Sequence, residues 1–388
     1  MKYRRLGKTN ENVSVLGFGC MRLPTLNGED GNIDIEKSVE MVRYAIDNGV
    51  NYLDTAFFYH SGNSEKFVAK VIKDGYREKA FVATKLPLGN DNCEEDVEKL
   101  FNKQLEKLET DYVDFYLLHA VNNDSWENRV VKFDIIPKIE KLKAEGKIRH
   151  FGFSFHDDLE VFKKIIDSYD GFEFCQIQLN YVDTDYQAGI EGLEYAASKG
   201  LGVIVMEPLL GGKLASPAES VSGILDKSKA PVEWAFDFLW NRKEVSMLLS
   251  GMGSMDMVKD NIGYADKAEA DMLSESEEEM FKKAKKAFDE LTLIPCTGCE
   301  YCMPCPEGVL IPKVFSAYNT VATASRRYVK EIFPDIEENT LLCKKCGKCE
   351  KHCPQGIHIR DELENVKKRL ENPVFKVAAA VAKMISKK

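Results

Sequence analysis

Two kinds of segment alternate along the first 290 residues of the chain. Short apolar runs predict strands, and the longer stretches between them repeat apolar residues at intervals of three and four, which is typical of one helix face. We count eight such runs: VSVLGFG, VNYLDT, AFVATK, YVDFYLLH, IRHFGFS, FEFCQIQLN, LGVIVMEP and SMLLSG. Because each run is mostly apolar, we expect the strands to be buried on both faces of their sheet.

Eight strand–helix units in succession predict an α/β fold in which the parallel strands close into a TIM (β/α)8 barrel. An open sheet that binds a dinucleotide normally carries a GxGxxG turn after its first strand, and the sequence GFGCMRLP is not such a turn. The barrel is therefore the favoured architecture. We expect it to occupy residues 1–290, with residues 291–388 forming a second domain.

The charge balance and the apolar runs limit the partners of the protein. Lys and Arg number 53 against 63 Asp and Glu, and the net charge of -10 disfavours binding to nucleic acid or to an anionic membrane. No apolar run reaches the ~20 residues that cross a bilayer, and MKYRRLGKTN is not followed by the apolar stretch of a secretory signal. We expect a cytoplasmic protein with neither nucleic acid nor membrane as partner.

The cysteines are concentrated near the end of the chain, where eight of the eleven lie between Cys296 and Cys353. In a cytosolic protein such crowding indicates metal binding before disulfides. The segments CTGCEYCMPCP and CKKCGKCEKHCP each hold three cysteines at intervals of three and then a fourth followed by Pro. The second matches the bacterial ferredoxin pattern of iron–sulfur ligation, and the first departs by one residue in its last gap. A zinc ribbon is the alternative, although ribbons need neither the third cysteine nor the final CP.

The two motifs resemble those of dicluster ferredoxin modules, in which the fourth ligand of each cluster comes from the other motif. The spacer IPKVFSAYNTVATASRRYVKEIF and the stretch DELENVKKRLENPVFKVAAAVAKMISKK are predicted to be helical, so the second domain resembles a small, mainly α-helical ferredoxin-like module. The resemblance implies two four-iron four-sulfur (4Fe-4S) clusters. One would be held by Cys296, Cys299, Cys302 and Cys353, and the other by Cys343, Cys346, Cys349 and Cys305.

Four polar residues follow or end adjacent predicted barrel strands, which is where barrel enzymes place their reacting groups. Asp54, Lys85 and His119 end the second, third and fourth strands, and Tyr59 lies in the loop after the second. A buried Lys and Asp at neighbouring strand ends should pair, because either charge alone would be costly there. A phenol beside that ammonium would have its pKa lowered from about 10, so Tyr59 could donate a proton near neutral pH.

These four residues resemble, in order and in local context, the Asp, Tyr, Lys and His tetrad of the aldo-keto reductase family. The segments LGFGCMRLP, NYLDTA and FGFS extend the resemblance over roughly residues 3 to 265. It implies hydride transfer between a nicotinamide and a small-molecule carbonyl or alcohol. Tyr59 would be the general acid and base, His119 would hydrogen-bond the carbonyl oxygen, Lys85 would tune Tyr59, and Asp54 would hold Lys85.

The resemblance also implies contacts with NAD(H) or NADP(H), and the sequence departs from the family pattern at four positions. Phe155 replaces a common Asn, and Met206 replaces a Tyr that stacks on the nicotinamide. Gly251 and Met257 stand where NADPH-preferring members carry Lys and Arg. The loss of these two cations favours NAD(H), unless Lys259 supplies the missing contact with the 2'-phosphate. The implied cofactor-binding residues are Gly19, Cys20, Met21, Asp54, Ser154, Gln176, Met206, Pro208, Leu209, Gly211, Gly251, Met252 and Asn261.

Three functional hypotheses follow, because a hydride carries two electrons whereas a cluster of this kind passes one. The protein is a nicotinamide-dependent carbonyl reductase whose clusters are structural, redox-sensing or linked to an electron-transfer partner. Alternatively, substrate electrons pass through the clusters to or from a ferredoxin or flavoprotein, and a bound FMN would leave no fingerprint in the sequence. The third hypothesis is a nicotinamide-binding sensor with negligible turnover, against which the intact tetrad argues.

Overall fold

The computed structural model describes residues 1–88, 97–291, 293–323 and 336–370. The chain divides into two compact units. The first contains residues 1–216 and 225–282, and the second contains residues 217–224 and the described residues from 283 onward. The predicted boundary at residue 290 stays a prediction. Parts of the two predicted helical stretches, at 324–333 and 371–388, lie outside the described residues.

Eight parallel strands form a closed barrel, which confirms the predicted fold class. Around the barrel the strands follow the order β10-β3-β4-β5-β6-β7-β8-β9, so each strand lies beside its neighbour in the chain. The strands are β1 (Tyr3–Arg5), β2 (Asn12–Ser14), β3 (Leu16–Gly19), β4 (Tyr52–Asp54), β5 (Phe81–Leu86), β6 (Val113–Val121), β7 (Ile148–Phe155), β8 (Phe174–Gln178), β9 (Gly202–Met206) and β10 (Val245–Ser250).

The first predicted strand, VSVLGFG, is two strands in the structure. β2 pairs with β1 in an antiparallel hairpin outside the barrel sheet, and only β3 joins the barrel. Leu6 and Val13 of this hairpin region are fully buried in one apolar cluster with Tyr52 and Phe115 from the barrel strands. Leu6 also contacts Gly202 at the start of β9. The hairpin therefore covers the end of the barrel where the strands begin, which a continuous apolar run does not reveal.

Helices follow the barrel strands, and several begin at a side chain that caps the first turn. The side chains of Asp34, Asp158 and Ser254 each accept a hydrogen bond from a backbone N–H three residues on. The longer helices are Ile35–Asp47, Ser64–Val71, Val97–Leu108, Ile135–Ala144, Leu159–Ser168, Gly189–Ser198, Pro231–Trp240, Met255–Ala265 and Glu275–Leu291. Shorter helical segments are Gly7–Thr9, Tyr59–Gly62, Asn123–Ser125, Trp126–Val131, Leu210–Gly212 and Glu219–Ser222.

The second unit has its own small apolar core. Its helices are Ile311–Thr323, Ile336–Leu341 and Ile359–Leu370, with a short turn at Glu350–His352. The core residues are Ile294, Val309, Ile311, Val314, Phe315, Ala317, Tyr318, Ile357, Ile359, Leu363 and Val366, and cysteines of both motifs pack against them. None of the helices in the described residues is both long and apolar enough to cross a membrane.

Candidate active site

The four predicted tetrad residues meet at the end of the barrel where the strands finish. Asp54 is the last residue of β4, Lys85 lies next to the end of β5, and His119 lies near the end of β6. Tyr59 begins the single helical turn after β4. All four are buried, with Lys85 only 1% exposed and Tyr59 and His119 8% exposed. The parallel register thus places all four groups together.

Lys85 is the centre of the arrangement. Its Nζ donates to Asp54 Oδ1 at 2.7 Å, to the Thr55 carbonyl oxygen at 2.8 Å and to the Tyr59 hydroxyl at 3.3 Å. Burial raises the pKa of Asp54, and the Lys85 ammonium opposes that rise. The ammonium has three donors and all three are directed at named acceptors, so its position beside the phenol is fixed.

His119 lies edge-on to Tyr59, with the ring centroids 6.0 Å apart. The pairing of β6 with β7 shifts register between Leu118 and Val121, and Ala120 there has a φ of 54°. Such a bulge redirects the adjoining side chain. Burial, followed by the charges of Lys85 and His156, lowers the pKa of His119 well below its usual value. The imidazole is therefore neutral at pH 7 and can donate a hydrogen bond without carrying charge.

The residue after Tyr59 anchors the loop that carries it. His60 and Ser61 have φ values of 51° and 53°, a left-handed backbone that is costly outside glycine. The buried His60 ring accepts from the Leu23 backbone N–H at Nε2, at 3.2 Å, and its Nδ1 lies 2.8 Å from the Asp30 carbonyl oxygen. Since Nε2 accepts, Nδ1 carries the proton and donates to Asp30. The imidazole thus holds the Tyr59 loop against the segment that follows β3.

A buried polar network lies on the other side of Lys85. Gln104 Nε2 donates to the Lys85 carbonyl oxygen at 3.0 Å and to Glu65 Oε1 at 2.8 Å, and its Oε1 accepts from the Tyr116 hydroxyl at 2.7 Å. Thr84 donates to the same Glu65 oxygen at 2.7 Å. The sequence analysis missed Gln104. Its signal is a lone polar residue on the apolar face of the helix Val97–Leu108, at the spacing where the neighbours are buried.

Two of the implied cofactor-binding residues, which the family resemblance assigns to the nicotinamide carboxamide, are neighbours across β7 and β8. Ser154 and Gln176 are register partners, and Gln176 Nε2 lies 3.8 Å from Met206 Sδ at the end of β9. Gln176 Oε1 is buried and finds no hydrogen-bond partner among the described residues. A buried acceptor without a donor is unfavourable, and the amide of a nicotinamide would supply one. The residues present therefore fit that group.

The other predicted cofactor positions lie in loops that the barrel order brings side by side. Gly19, Cys20 and Met21 are at and after the end of β3, Pro208, Leu209 and Gly211 follow β9, and Gly251 and Met252 follow β10, which lies between those two strands. Asn261 is buried in the helix Met255–Ala265, and its Nδ2 donates to Ser250 Oγ at 3.2 Å. Loops after the seventh and eighth strands often hold phosphate in barrels of this kind.

An ion pair that the sequence analysis missed crosses these loops. Arg22 packs against Gly251, where a Cβ atom built on the glycine would lie 3.0 Å from the Cβ of Arg22. The Arg22 guanidinium is 3.7 Å from Glu207 Oε1. Glu207 Oε2 also accepts from the Gly211 backbone N–H at 2.5 Å. Burial raises the pKa of Glu207, against the effect of Arg22. A cation therefore does lie beside Gly251, supplied from the β3 loop and already paired with a carboxylate.

In the second unit, the four thiols predicted to hold the first cluster line a single pocket. Cys296, Cys299, Cys302 and Cys353 share it with apolar side chains that include Ile311 and Phe315. Burial raises the pKa of the Cys302 thiol, and the proximity of Cys299, Cys296 and Cys353 raises it further. For the other set, burial, then Glu350 and in lesser measure Cys305, raise the pKa of Cys349. The structure thus brings together residues from both motifs, as the crossed ligand sets require.

Zinc is the alternative ligand-bound metal for four thiolates, and it needs four sulfurs at about 2.3 Å from one centre. Across the described residues, no group of three or more His, Cys, Asp or Glu side chains is placed to hold one ion.

Comparison with known proteins gives two family matches. A model of the Aldo/keto reductase family matches residues 15–278, and a model of the 4Fe-4S dicluster domain matches residues 295–358. L-galactose dehydrogenase of Arabidopsis thaliana is 31% identical over 297 residues, which are 70% of this chain and 90% of that protein.

Solved structures agree with these matches. The aldo-keto reductase AKR11C1 from Bacillus halodurans, in its holo form, is 27% identical with a TM-score of 0.60, and the match covers 74% of this chain and 97% of that one. An aldo-keto reductase from Klebsiella pneumoniae in complex with NADPH is 22% identical, with a TM-score of 0.58 and coverage of 74% and 95%, and that likeness shows the fold alone.

Proposed function

The chain belongs to the aldo/keto reductase family and carries a 4Fe-4S dicluster domain, and from this premise we propose that it interconverts a small carbonyl compound and its alcohol with a nicotinamide dinucleotide. The protein is an oxidoreductase of that family. The observation that carries the proposal is the buried contact of the Lys85 ammonium with both the Asp54 carboxylate and the Tyr59 hydroxyl. When bound, the nicotinamide supplies or accepts the hydride.

Tyr59 is the proton donor for carbonyl reduction and the acceptor for alcohol oxidation. As a carbonyl carbon gains hydride, negative charge develops on its oxygen, and a positioned hydroxyl can transfer a proton to it. The 3.3 Å contact with Lys85 Nζ places positive charge against the phenol oxygen as that oxygen gives up its proton. Asp54 holds the ammonium in place, since its Oδ1 accepts from Lys85 at 2.7 Å.

His119 completes the binding site for the carbonyl oxygen. The ring stands edge-on to Tyr59 and is buried, and its lowered pKa keeps it neutral. In a site that excludes water, the N–H of a neutral imidazole stabilises the negative charge that develops on the carbonyl oxygen in the transition state. A neutral ring does this without bringing a second transferable proton to that oxygen. Tyr59 and His119 thus act as two donors to one oxygen, with distinct roles in proton transfer and in orientation.

The dinucleotide would lie along the loops after β3, β9 and β10. Gln176 Oε1 and Ser154 would receive the carboxamide, and the thioether of Met206 would pack against the nicotinamide ring. We infer NAD(H) as the preferred form. Gly251 and Met257 are uncharged, Lys259 Nζ lies 5.8 Å from the centre of the Tyr44 ring, and the Arg22 guanidinium faces Glu207. A 2'-phosphate would therefore find no cation at Gly251 or Met257, and Arg22 is already paired with a carboxylate.

The second unit would hold two 4Fe-4S clusters through the crossed ligand sets. Cys296, Cys299, Cys302 and Cys353 would bind the first, and Cys343, Cys346, Cys349 and Cys305 the second. Carbonyl reduction at the tetrad needs no electron from either cluster, because the hydride carries both. We therefore assign the chemistry to the barrel and assign to the clusters a structural role or a link to a carrier protein.

The test is Tyr59→Phe, assayed anaerobically with both clusters loaded. Losing the general acid should lower kcat for reduction of a reactive carbonyl probe by at least about 10²- to 10⁴-fold. The NADH dissociation constant, measured by fluorescence titration, should change less than threefold.

Tyr181→Phe is the matched control. The Tyr181 hydroxyl is buried without a hydrogen-bond partner among the described residues, so its loss should leave both kcat and NADH binding unchanged. Turnover of the Tyr59 variant at near the normal rate would show that another group supplies the proton.

A further inference from the structure

The second cysteine motif lies in a surface suited to another protein. We propose that this surface docks a small, acidic iron–sulfur electron carrier, which exchanges single electrons with the second cluster. The proposal goes beyond the carbonyl chemistry of the barrel, which requires no second protein. We call the surface the docking face and define it by Leu310, Leu341, Leu342, Lys344, Cys346, Lys348 and Lys351.

The docking face is basic in an acidic protein. Residues 343–353 contain four lysines and one glutamate, so that, apart from the cysteine ligands, their side chains carry +3 with His352 counted as neutral, whereas the whole chain carries -10. A cluster with its four thiolates would itself be negatively charged, and the lysines would surround it with positive charge. Lys344, Lys348 and Lys351 are exposed. The single acid, Glu350, is paired with Arg360 at 2.7 Å, and a fourth lysine, Lys345, is paired with Glu364 at 3.1 Å. The motif therefore presents positive charge that its own acids do not cancel.

Exposed leucines lie beside these lysines. Leu310, Leu341 and Leu342 are exposed by 43%, 54% and 42%. One residue ties their loops together, because the Asn339 side chain accepts from the Leu310 backbone N–H at 2.7 Å and its carbonyl oxygen accepts from the Leu342 N–H at 3.3 Å. Large apolar side chains grouped on a surface indicate an interaction site. An apolar centre with a charged rim is the usual anatomy of such interfaces.

The two cysteine motifs differ in their access to solvent. The first ligand set lines a pocket with Ile311, Phe315 and Ile357, and Glu300 lines the same pocket. Cys346 of the second motif is exposed. A cluster held by this set would have one of its ligands open to solvent and to a docked redox centre. Cys346 and the lysines beside it would bring the carrier close enough for transfer of a single electron, in which the cluster would be oxidised as the carrier is reduced, or the reverse, with no bond or proton change.

The chemistry of the partner follows from the surface. Positive charge on the docking face steers and orients a negatively charged protein, and like-charged partners are disfavoured. Redox partners form small, short-lived interfaces, for which the three exposed leucines and three exposed lysines suffice. The surface therefore fits an acidic carrier, and a basic one such as a cytochrome c should not bind.

The experiment uses the full chain with both clusters loaded, kept anaerobic. A strongly acidic bacterial ferredoxin is titrated by calorimetry at low and at physiological salt. We expect one-to-one binding that weakens at least tenfold as salt rises, because the rim charges are screened. Cytochrome c should show no binding under the same conditions.

Charge reversal localises the site. K344E/K348E/K351E should weaken ferredoxin binding at least tenfold and slow bleaching of the clusters by reduced ferredoxin in stopped flow. The matched control K37E/K66E/K70E changes three exposed lysines of the barrel unit and should do neither. If the first triple variant loses iron, K344Q/K348Q/K351Q replaces it. Equal weakening by both triple variants, or binding of cytochrome c as tight as that of ferredoxin, would overturn the proposal, as would capture of anionic vesicles or nucleic acid instead.

Discussion

The two units organise their reactive groups in opposite ways. In the barrel, Lys85 and Asp54 are nearly inaccessible to solvent. The Lys85 ammonium donates to the Thr55 carbonyl oxygen, and Gln104 donates to the Lys85 carbonyl oxygen, so the lysine is fixed at both its side chain and its backbone. In the second unit the cysteines are partly exposed at the edge of a small apolar core. Hydrogen bonds within the protein therefore order the barrel site, whereas we expect the cysteine loops to gain much of their order from a bound cluster.

We expect the greatest loss of stability from a substitution that destabilises the second unit and leaves the first unit folded. Cys302→Ala removes a thiol of the predicted first cluster, and because metal-binding energy in such small modules is folding energy, the second unit should lose most of its stability, several kcal/mol. Calorimetry should show its transition lost or shifted, with the iron content reduced by at least half, while the barrel transition and carbonyl reduction persist. Cys175→Ala, in β8, should leave iron content unchanged. An unaltered transition in the Cys302 variant would contradict the account.

A smaller effect probes the rigidity of the barrel site. Gln104→Ala leaves the buried Tyr116 hydroxyl without its acceptor and removes one of the donors to Glu65, which should cost about 2 to 3 kcal/mol of the free energy of unfolding. Because Lys85 then loses its backbone support, kcat should fall more than KM rises. Asn102→Ala, on the exposed side of the same helix, is the control and should change neither quantity. A stable variant with normal kcat would show that the network does not position Lys85.

The pH dependence of stability tests the buried imidazole. His119 has a folded-state pKa below its unfolded value of about 6.5, so the unfolded state binds more protons below that pH. Its contribution is complete above about pH 6.5 and is lost as pH falls, by up to about 1.4 kcal/mol per unit, until the folded pKa is reached. His119→Gln should flatten this slope in denaturant titrations at pH 5 to 7, whereas His352→Gln, at an exposed site, should not. An equal slope in all three proteins would count against a neutral His119.

The smallest effect concerns the choice of dinucleotide. Native protein should bind NADH more tightly than NADPH in fluorescence titrations, because Arg22 is held by Glu207. Glu207→Gln should release Arg22 for the 2'-phosphate and narrow the gap by about 1 kcal/mol, or roughly fivefold. Glu191→Gln, at an exposed ion pair with Lys163, should leave the gap as it is. A strong NADPH preference in the native protein would refute the inference.

Much of the barrel and its tetrad could be predicted from the sequence, because both follow from local pattern. Alternation of strands and helices predicts parallel strands, and parallel strands finish at one end, so polar residues after strands two, three and four had to meet there. Cysteine spacing similarly predicted an iron–sulfur motif, and the resemblance to dicluster modules implied the first ligand set, whose four members line one pocket. The tetrad and the motifs are visible in the sequence because each is marked within a few residues of the side chains concerned.

The missed features depend instead on contacts between distant segments. Arg22 follows β3 and Glu207 follows β9, and the two contact each other because β10 alone lies between those strands in the barrel. The sequence near either residue does not indicate the pairing. The sequence does not reveal the break between β2 and β3, because both strands are apolar and follow each other directly, although β2 belongs to the hairpin and β3 to the barrel. Gln104 could have been found, since a buried-face glutamine in an otherwise apolar helix stripe requires a polar partner.

The most direct test of the central claim is a crystal structure of the protein with NADH bound, grown anaerobically. We expect the carboxamide to contact Gln176 and Ser154. The reactive carbon of the nicotinamide should face the Tyr59 hydroxyl across a gap that fits a carbonyl group, so that each reacting contact would be about 3 to 3.5 Å. A nicotinamide ring turned away from Tyr59, or a dinucleotide bound away from the ends of β3, β9 and β10, would contradict it.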